Sequence, residues 1–123
     1  APSNGLEKLR TLQIWGEVMT DELVFGVASQ GSGLRELTKL ELNFAQITDR
    51  GLRTLAAADT GLKNLTTLGL AYTSVTNEGL KFLAAADTGL AKLTTLDLRG
   101  TKVTAEGVAA VRARFPGITI EWP

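Results

Sequence analysis

Gly61-Leu62-Lys63-Asn64-Leu65-Thr66-Thr67-Leu68-Gly69-Leu70-Ala71-Tyr72-Thr73-Ser74-Val75-Thr76-Asn77-Glu78-Gly79-Leu80-Lys81-Phe82-Leu83-Ala84-Ala85-Ala86-Asp87-Thr88 carries two periods in 28 residues. Leu68 and Leu70 lie two apart, the period of a short strand with one buried face. Leu80 and Leu83 lie three apart, which is helical spacing. Thr76 stands just before the helical stretch, where its side chain can accept from a free N–H of the first turn. Glu78 suits the positive end of the helix dipole. Ala84-Ala85-Ala86 supplies good helix formers. Gly89 follows where a helix can stop in a left-handed cap. The unit reads as strand, turn, helix and return loop.

The unit recurs. Gly-Leu pairs open it at Gly5, Gly33, Gly61 and Gly89, and Gly117-Ile118 follows at the same spacing of 28. Four repeats are expected at 5–32, 33–60, 61–88 and 89–116, with a closing strand in 117–123, all in one domain spanning 1–123. Repeats 33–60 and 61–88 agree at 15 of 28 aligned positions. Thr20, Thr48 and Thr104 repeat the cap of Thr76, and Asp21, Glu22, Asp49 and Glu106 repeat the acidic first turn. Gly61 repeats the expected stop. One unit cannot bury its apolar face alone, so the units must stack, with strands on one side, helices on the other and leucines between. The stub Ile118-Thr119-Ile120-Glu121-Trp122 alternates with period two and should add a fifth parallel strand beside 95–99.

The pattern L-x-x-L-x-L is met by Leu37, Leu40, Leu42, by Leu65, Leu68, Leu70 and by Leu93, Leu96, Leu98. In this the chain resembles the leucine-rich repeat family, in its ribonuclease-inhibitor-like subtype with 28-residue repeats. The stretches Thr73–Leu80, Thr101–Val108 and Phe115–Trp122 are similar to bacterial members. The resemblance implies an α/β leucine-rich-repeat solenoid, a right-handed β-α superhelix with the parallel sheet on its concave side and helices on its convex side. Two departures stand out. The family usually places Asn or Cys after the strand, and here that column reads Glu17, Ala45, Thr73 and Thr101. The first unit has Leu23 where the others have Gly51, Gly79 and Gly107.

Composition narrows the chemistry. The 123 residues hold 13 Lys plus Arg against 13 Asp plus Glu, for a formal net charge of zero. Such a balance argues against a protein built to hold nucleic acid or an anionic membrane. No window approaches the roughly 18 apolar residues of a membrane helix. His and Cys are both absent. Ser-His-Asp and Cys-His catalysis and thiolate or imidazole zinc sites are therefore excluded. No Gly-rich phosphate loop or carboxylate cluster of metal type is present, so no catalytic residue, cofactor or metal is expected. The start, Ala1-Pro2-Ser3-Asn4 without Met, fits a processed, trimmed or engineered chain. Asn64-Leu65-Thr66 matches the N-glycosylation triplet, which arises often by chance.

The outward strand face is where side chains repeat in space. Its columns are Thr11, Lys39, Thr67, Thr95; then Gln13, Glu41, Gly69, Asp97; then Trp15, Asn43, Ala71, Arg99. Beyond them Phe44 and Tyr72 are expected to join Trp15 in an outward aromatic row, since aromatics concentrate binding energy at interfaces. Glu41 and Asp97, two strands or about 9.6 Å apart, are read as a solvated face neutralised by Lys39 and Arg99 rather than an acid/base pair. Phe25 and Phe82 are expected to pack on the helical side.

The resemblance implies a non-enzymatic module binding a protein partner on this face. Trp15, Lys39, Glu41, Asn43, Phe44, Tyr72, Asp97 and Arg99 are its candidate contacts. The alternative is a structural or engineered scaffold with no dedicated ligand, which a bare Thr and charge surface would favour. No nucleic acid or membrane is expected. A monomer or a weak homodimer is, the exposed edge strand 11–15 being where copies could pair.

Overall fold

A computed structural model describes residues 8–14, 20–29 and 33–122. Strands and helices alternate along the chain. They are β1 (Thr11–Gln13), α1 (Asp21–Ala28), β2 (Lys39–Glu41), α2 (Asp49–Leu55), β3 (Thr67–Gly69), α3 (Asn77–Ala84), β4 (Thr95–Asp97), α4 (Ala105–Arg114) and β5 (Thr119–Glu121). The strands form one parallel sheet in chain order, β1 to β5. Register follows the sequence period, with Thr11, Lys39, Thr67, Thr95 and Thr119 as successive neighbours. Backbone bonds run across the sheet at its lower edge, from Thr38 N to Arg10 O (2.9 Å), Thr66 N to Thr38 O (2.8 Å), Thr94 N to Thr66 O (2.8 Å) and Thr119 N to Thr94 O (2.9 Å). The architecture is an α/β solenoid, one sheet layer against one helix layer.

The core lies between the layers. Leu40, Leu68 and Leu96 stack in neighbouring strands, and Leu42, Leu70 and Leu98 stack beside them, all buried. Leu52, Leu55, Leu80, Leu83, Val108 and Val111 meet them from the helices. Ile120 of β5 pairs with Leu96 and is buried, while Ile118 and Trp122 pack against the same cluster.

Thr20, Thr48, Thr76 and Thr104 are the residues at which the four helices begin. Thr48 and Thr76 accept from Arg50 N (3.3 Å) and Glu78 N (3.2 Å). Their larger role is between units. Asp21 accepts from Thr48 N (3.0 Å) and Thr48 Oγ1 (2.6 Å), and Asp49 accepts from Thr76 N (2.7 Å) and Thr76 Oγ1 (2.5 Å). Asn77 does the same for Thr104, accepting from its N (2.9 Å) and donating Nδ2 to its Oγ1 (2.7 Å). The starts of α2, α3 and α4 are thus each held by a side chain from the preceding helix.

This bridge explains the glycine column. A Cβ at Gly51, Gly79 or Gly107 would lie 2.1–2.4 Å from the bridging Asp21, Asp49 or Asn77 oxygen. Gly79→Ala must therefore push Asp49 off both Thr76 bonds. We expect a loss of about 1–3 kcal/mol, the usual penalty of overpacking. Gly26→Ala in α1 is the matched control, because nothing lies within 4 Å of its added Cβ. It should gain about 0.5–1 kcal/mol from helix propensity. Urea unfolding midpoints would separate the two, and a Gly79→Ala protein as stable as Gly26→Ala would refute the bridge.

Two readings of the return loop are corrected. The Ala-Ala-Ala runs do not extend the helices far: α2 ends at Leu55 and α3 at Ala84. Nor do Gly61 and Gly89 form left-handed caps, since neither has a positive φ. The caps are Ala56 and Ala85. Gly61 N and Gly89 N donate to Ala28 O (2.6 Å) and Ala56 O (2.8 Å) of the preceding unit. A Cβ on Gly89 would strike Ala57 O at 2.1 Å, so close approach is the reason for glycine there. Thr60 and Thr88 reinforce the seam by donating to the same two carbonyls.

The column after the strand behaves as its residue types dictate. Thr73 and Thr101 each donate to the carbonyl three residues back, Leu70 O and Leu98 O, both at 2.7 Å. Ala45 is buried in the same turn without a hydroxyl. Ala45→Thr should therefore be neutral or stabilising by up to about 1 kcal/mol. A fall of several kcal/mol in chemical denaturation would mean that the turn has no space for the added bond.

Candidate functional site

The outward strand face is built by register alone. Gln13, Glu41, Gly69, Asp97 and Glu121 are successive neighbours across the sheet. Its charges are matched in place. Arg99 grips Asp97 through Nε (2.9 Å) and Nη2 (2.7 Å), and the Arg99 backbone N–H adds a third bond at 3.1 Å. Arg99 Nε also lies 3.4 Å from Glu121. The Arg99 hydrogen bonds hold the Asp97 carboxyl below its ordinary range, against a smaller opposing effect of burial. Asp97 in turn holds the guanidinium charged. Lys39 lies 3.6 Å from Glu41, and Gln13 donates to the same carboxylate. Glu41 and Asp97 stand either side of Gly69, each engaged by its own cation. The two carboxylates are thus paired separately on an open face.

Asn43 is turned to the backbone. Its Oδ1 accepts from Ala71 N at 2.8 Å, and it leans over Gly69, where a Cβ would sit 2.9 Å from that oxygen. Asn43 thus extends strand pairing past the end of β3. Glycine at 69 is what admits it. Asn43 is thus engaged by the next strand and Asp97 by Arg99, while Lys39, Glu41 and Arg99 keep accessible surface.

Phe44 and Tyr72 form the aromatic part. Their rings stack with centroids 4.8 Å apart and 6° between planes. They are 52% and 54% exposed. Both occupy the left-handed region, at φ 65° and 59°, and Gly100 takes the same place in the next unit at φ 70°. Tyr72 lies against Gly100, whose Cβ, if present, would meet the ring at 2.3 Å. Left-handed backbone disfavours a side chain by about 1–2 kcal/mol per residue, yet two large rings stand there, half in solvent. Trp15, the third expected member, lies outside the described residues. Its repeat counterpart is Asn43 rather than Phe44.

The helix layer corrects one expectation. Phe25 is 68% exposed and Phe82 is also exposed, rather than packed. Arg53 lies over the Phe82 ring at 6.0 Å from its centroid. The helices bury only one stripe each, and both phenylalanines fall outside it. Asn64, of the glycosylation triplet, is a strap. Its Nδ2 donates to Arg35 O (2.8 Å) and its Oδ1 accepts from Lys92 Nζ (2.7 Å). Among the described residues, no group of three or more Asp or Glu could hold a metal ion, and no helix is long and apolar enough to cross a membrane.

A parallel sheet of near-identical strands backed by helices, with one periodic outward face, defines a solenoid repeat protein. The chain belongs to the leucine-rich repeat family, whose model, described as Leucine Rich repeat, matches residues 34–56, 61–84 and 89–111. Domains of this family generally mediate protein–protein interaction and are typically non-enzymatic. Among solved structures, the chain is similar to an internalin from Listeria monocytogenes, at 19% sequence identity and a TM-score of 0.48. That match covers 94% of this chain and 35% of the internalin, so the chain spans about a third of its length. No curated protein matches the sequence.

Proposed function

We propose that the chain is a non-enzymatic module that binds a protein partner on its strand face, with Phe44 and Tyr72 as the anchor and Lys39, Glu41 and Arg99 around it. The observation that carries this reading is the stacked, half-exposed ring pair on left-handed backbone. Backbone strain of this kind concentrates at functional positions. Aromatic rings are also the side chains that most often dominate binding energy. A scaffold without a ligand has no use for the pair, since Gly100 makes the same turn without strain. Affiliation with the ribonuclease-inhibitor-like subtype, of bacterial type, is supported by the 28-residue period and by helices of 7–10 residues in α1 to α4.

The test is a quantitative pull-down from the source cell, comparing the protein with a Phe44→Ala/Tyr72→Ala double variant that retains cooperative unfolding. Enrichment of one protein by the parent and its loss with the variant is the expected result. Identical profiles for both would remove the strand-face anchor and leave the scaffold reading.

A further inference from the structure

The molecule neutralises many of its cations singly. Arg10 pairs with Glu36, Lys39 with Glu41, Arg50 with Glu22, Lys81 with Glu78 and Arg99 with Asp97. Three cations outside these pairs gather in one place. At the edge where the chain enters β2, β3 and β4, a concavity of about 690 Å³ is lined by Arg35, Lys63, Lys92, Asn64, Thr60 and Gly61. Three cations line it and no carboxylate does.

The cations come from three successive units, 28 or 29 residues apart in sequence. Adjacent strands lie about 4.8 Å apart, so the charges are held as near neighbours. Two are fixed by neutral acceptors: Lys63 Nζ donates to Ala58 O (2.7 Å) and Lys92 Nζ to Asn64 Oδ1 (2.7 Å). Such bonds position an ammonium without cancelling its charge. Arg35 makes no ion pair among the described residues, and Glu36 beside it in sequence is taken by Arg10. The amides of Lys63 and Asn64 donate to no backbone carbonyl among the described residues. Like charges gathered without a counter-charge repel one another, and a bound anion relieves that repulsion.

We propose that this concavity is a binding site for an oligomeric oxyanion, a ligand carrying two or more phosphate or sulfate groups. A single phosphate is far smaller than the space. The spread of charge over three units instead suits anionic groups repeated along a ligand. Guanidinium supplies a planar two-pronged contact to such oxygens, and the ammonium groups supply point charges. The site lies at the opposite ends of the strands from Phe44 and Tyr72, so it does not depend on the protein-binding reading.

The experiment is an NMR titration of the full chain at low ionic strength with two probes, tripolyphosphate and a fully sulfated disaccharide. Arg35→Gln is the test variant, because the Arg35 side chain makes no ion pair among the described residues. Arg112→Gln, an exposed cation on α4, is the control. We expect saturable shifts at Arg35, Lys63, Asn64 and Lys92 with at least one probe. Affinity should fall several-fold in Arg35→Gln and as salt rises, and stay unchanged in Arg112→Gln. Binding of tripolyphosphate alone assigns phosphate as the ligand chemistry, binding of the disaccharide alone assigns sulfate, and binding of both assigns the shared oxyanion charge. Absence of saturable binding by either probe, shifts centred elsewhere, or an equal loss in Arg112→Gln would overturn the proposal.

Discussion

Leu68→Ala is expected to remove about 2–5 kcal/mol of stability, the range for emptying a fully buried leucine site. Leu68 is inaccessible to solvent and stands between Leu40 and Leu96 in the central strand. A cavity there has leucines of three units around it. Each is fixed by its own strand pairing, so the site cannot collapse easily. Domains have roughly 5–15 kcal/mol in all, so the variant should be largely unfolded at moderate temperature. Urea denaturation followed by far-ultraviolet circular dichroism reads this directly. A loss below about 1 kcal/mol with cooperativity intact would contradict the stacked-leucine core.

Deleting residues 118–123 is expected to destabilise the protein and make it associate. β5 contributes a full parallel pairing to β4, buries Ile120 on Leu96, and adds Ile118 and Trp122 to the same cluster. Without it, the outer side of the last leucine layer meets water and β4 becomes an open edge. Open apolar ends of a repeat array promote aggregation or demand a cap. Glu121 is lost too, but its 3.4 Å contact to Arg99 is exposed and weighs little. Light scattering and a thermal melt on the truncated chain measure both effects. A truncated protein that stays monomeric with an unchanged melting temperature would show that the strand does not close the core.

Much of this fold is written in short-range pattern. Leu68 and Leu70, then Leu80 and Leu83, betray a strand and a helix because each pair needs only its local period. Thr76 marks the helix start for the same reason. What escapes is set between units. The bond from Asp49 to Thr76 spans 27 residues, so neither residue looks unusual alone. The available signal was joint: Asp21, Asp49 and Asn77 each precede a glycine by 30 residues, at Gly51, Gly79 and Gly107. Gly61 and Gly89 look like conformational caps in the sequence, but the seam needs them for close approach. At the site, strand alternation would place Phe44 and Tyr72 on the side of Leu42 and Leu70, and it is the left-handed backbone at both that turns them outward. The inward turn of Asn43 is not legible in its own strand either, because it depends on the missing side chain of Gly69 in the next strand. The aromatic character of Phe25 and Phe82 suggests burial, whereas the position of each on its helix decides its exposure.

The bridge from Asp49 to Thr76, with Gly79 making room for it, also sets a rule for how such a chain can grow. Donor and receiver sit in different periods, so a junction is sound only when a whole period is copied. Duplicating residues 33–60 reproduces Thr48, Asp49 and Gly51 in matching order, so the helix-side bridge is repeated at the new seam, although Glu41 would then stand beside Asn43 where Gly69 now makes room. A copy one residue longer or shorter would set a side chain against the carboxylate and leave a Thr without its acceptor. Copies of the first period would bring Leu23 into the glycine column. Length is therefore adjustable in steps of one period, drawn from the interior of the array and not from its first unit.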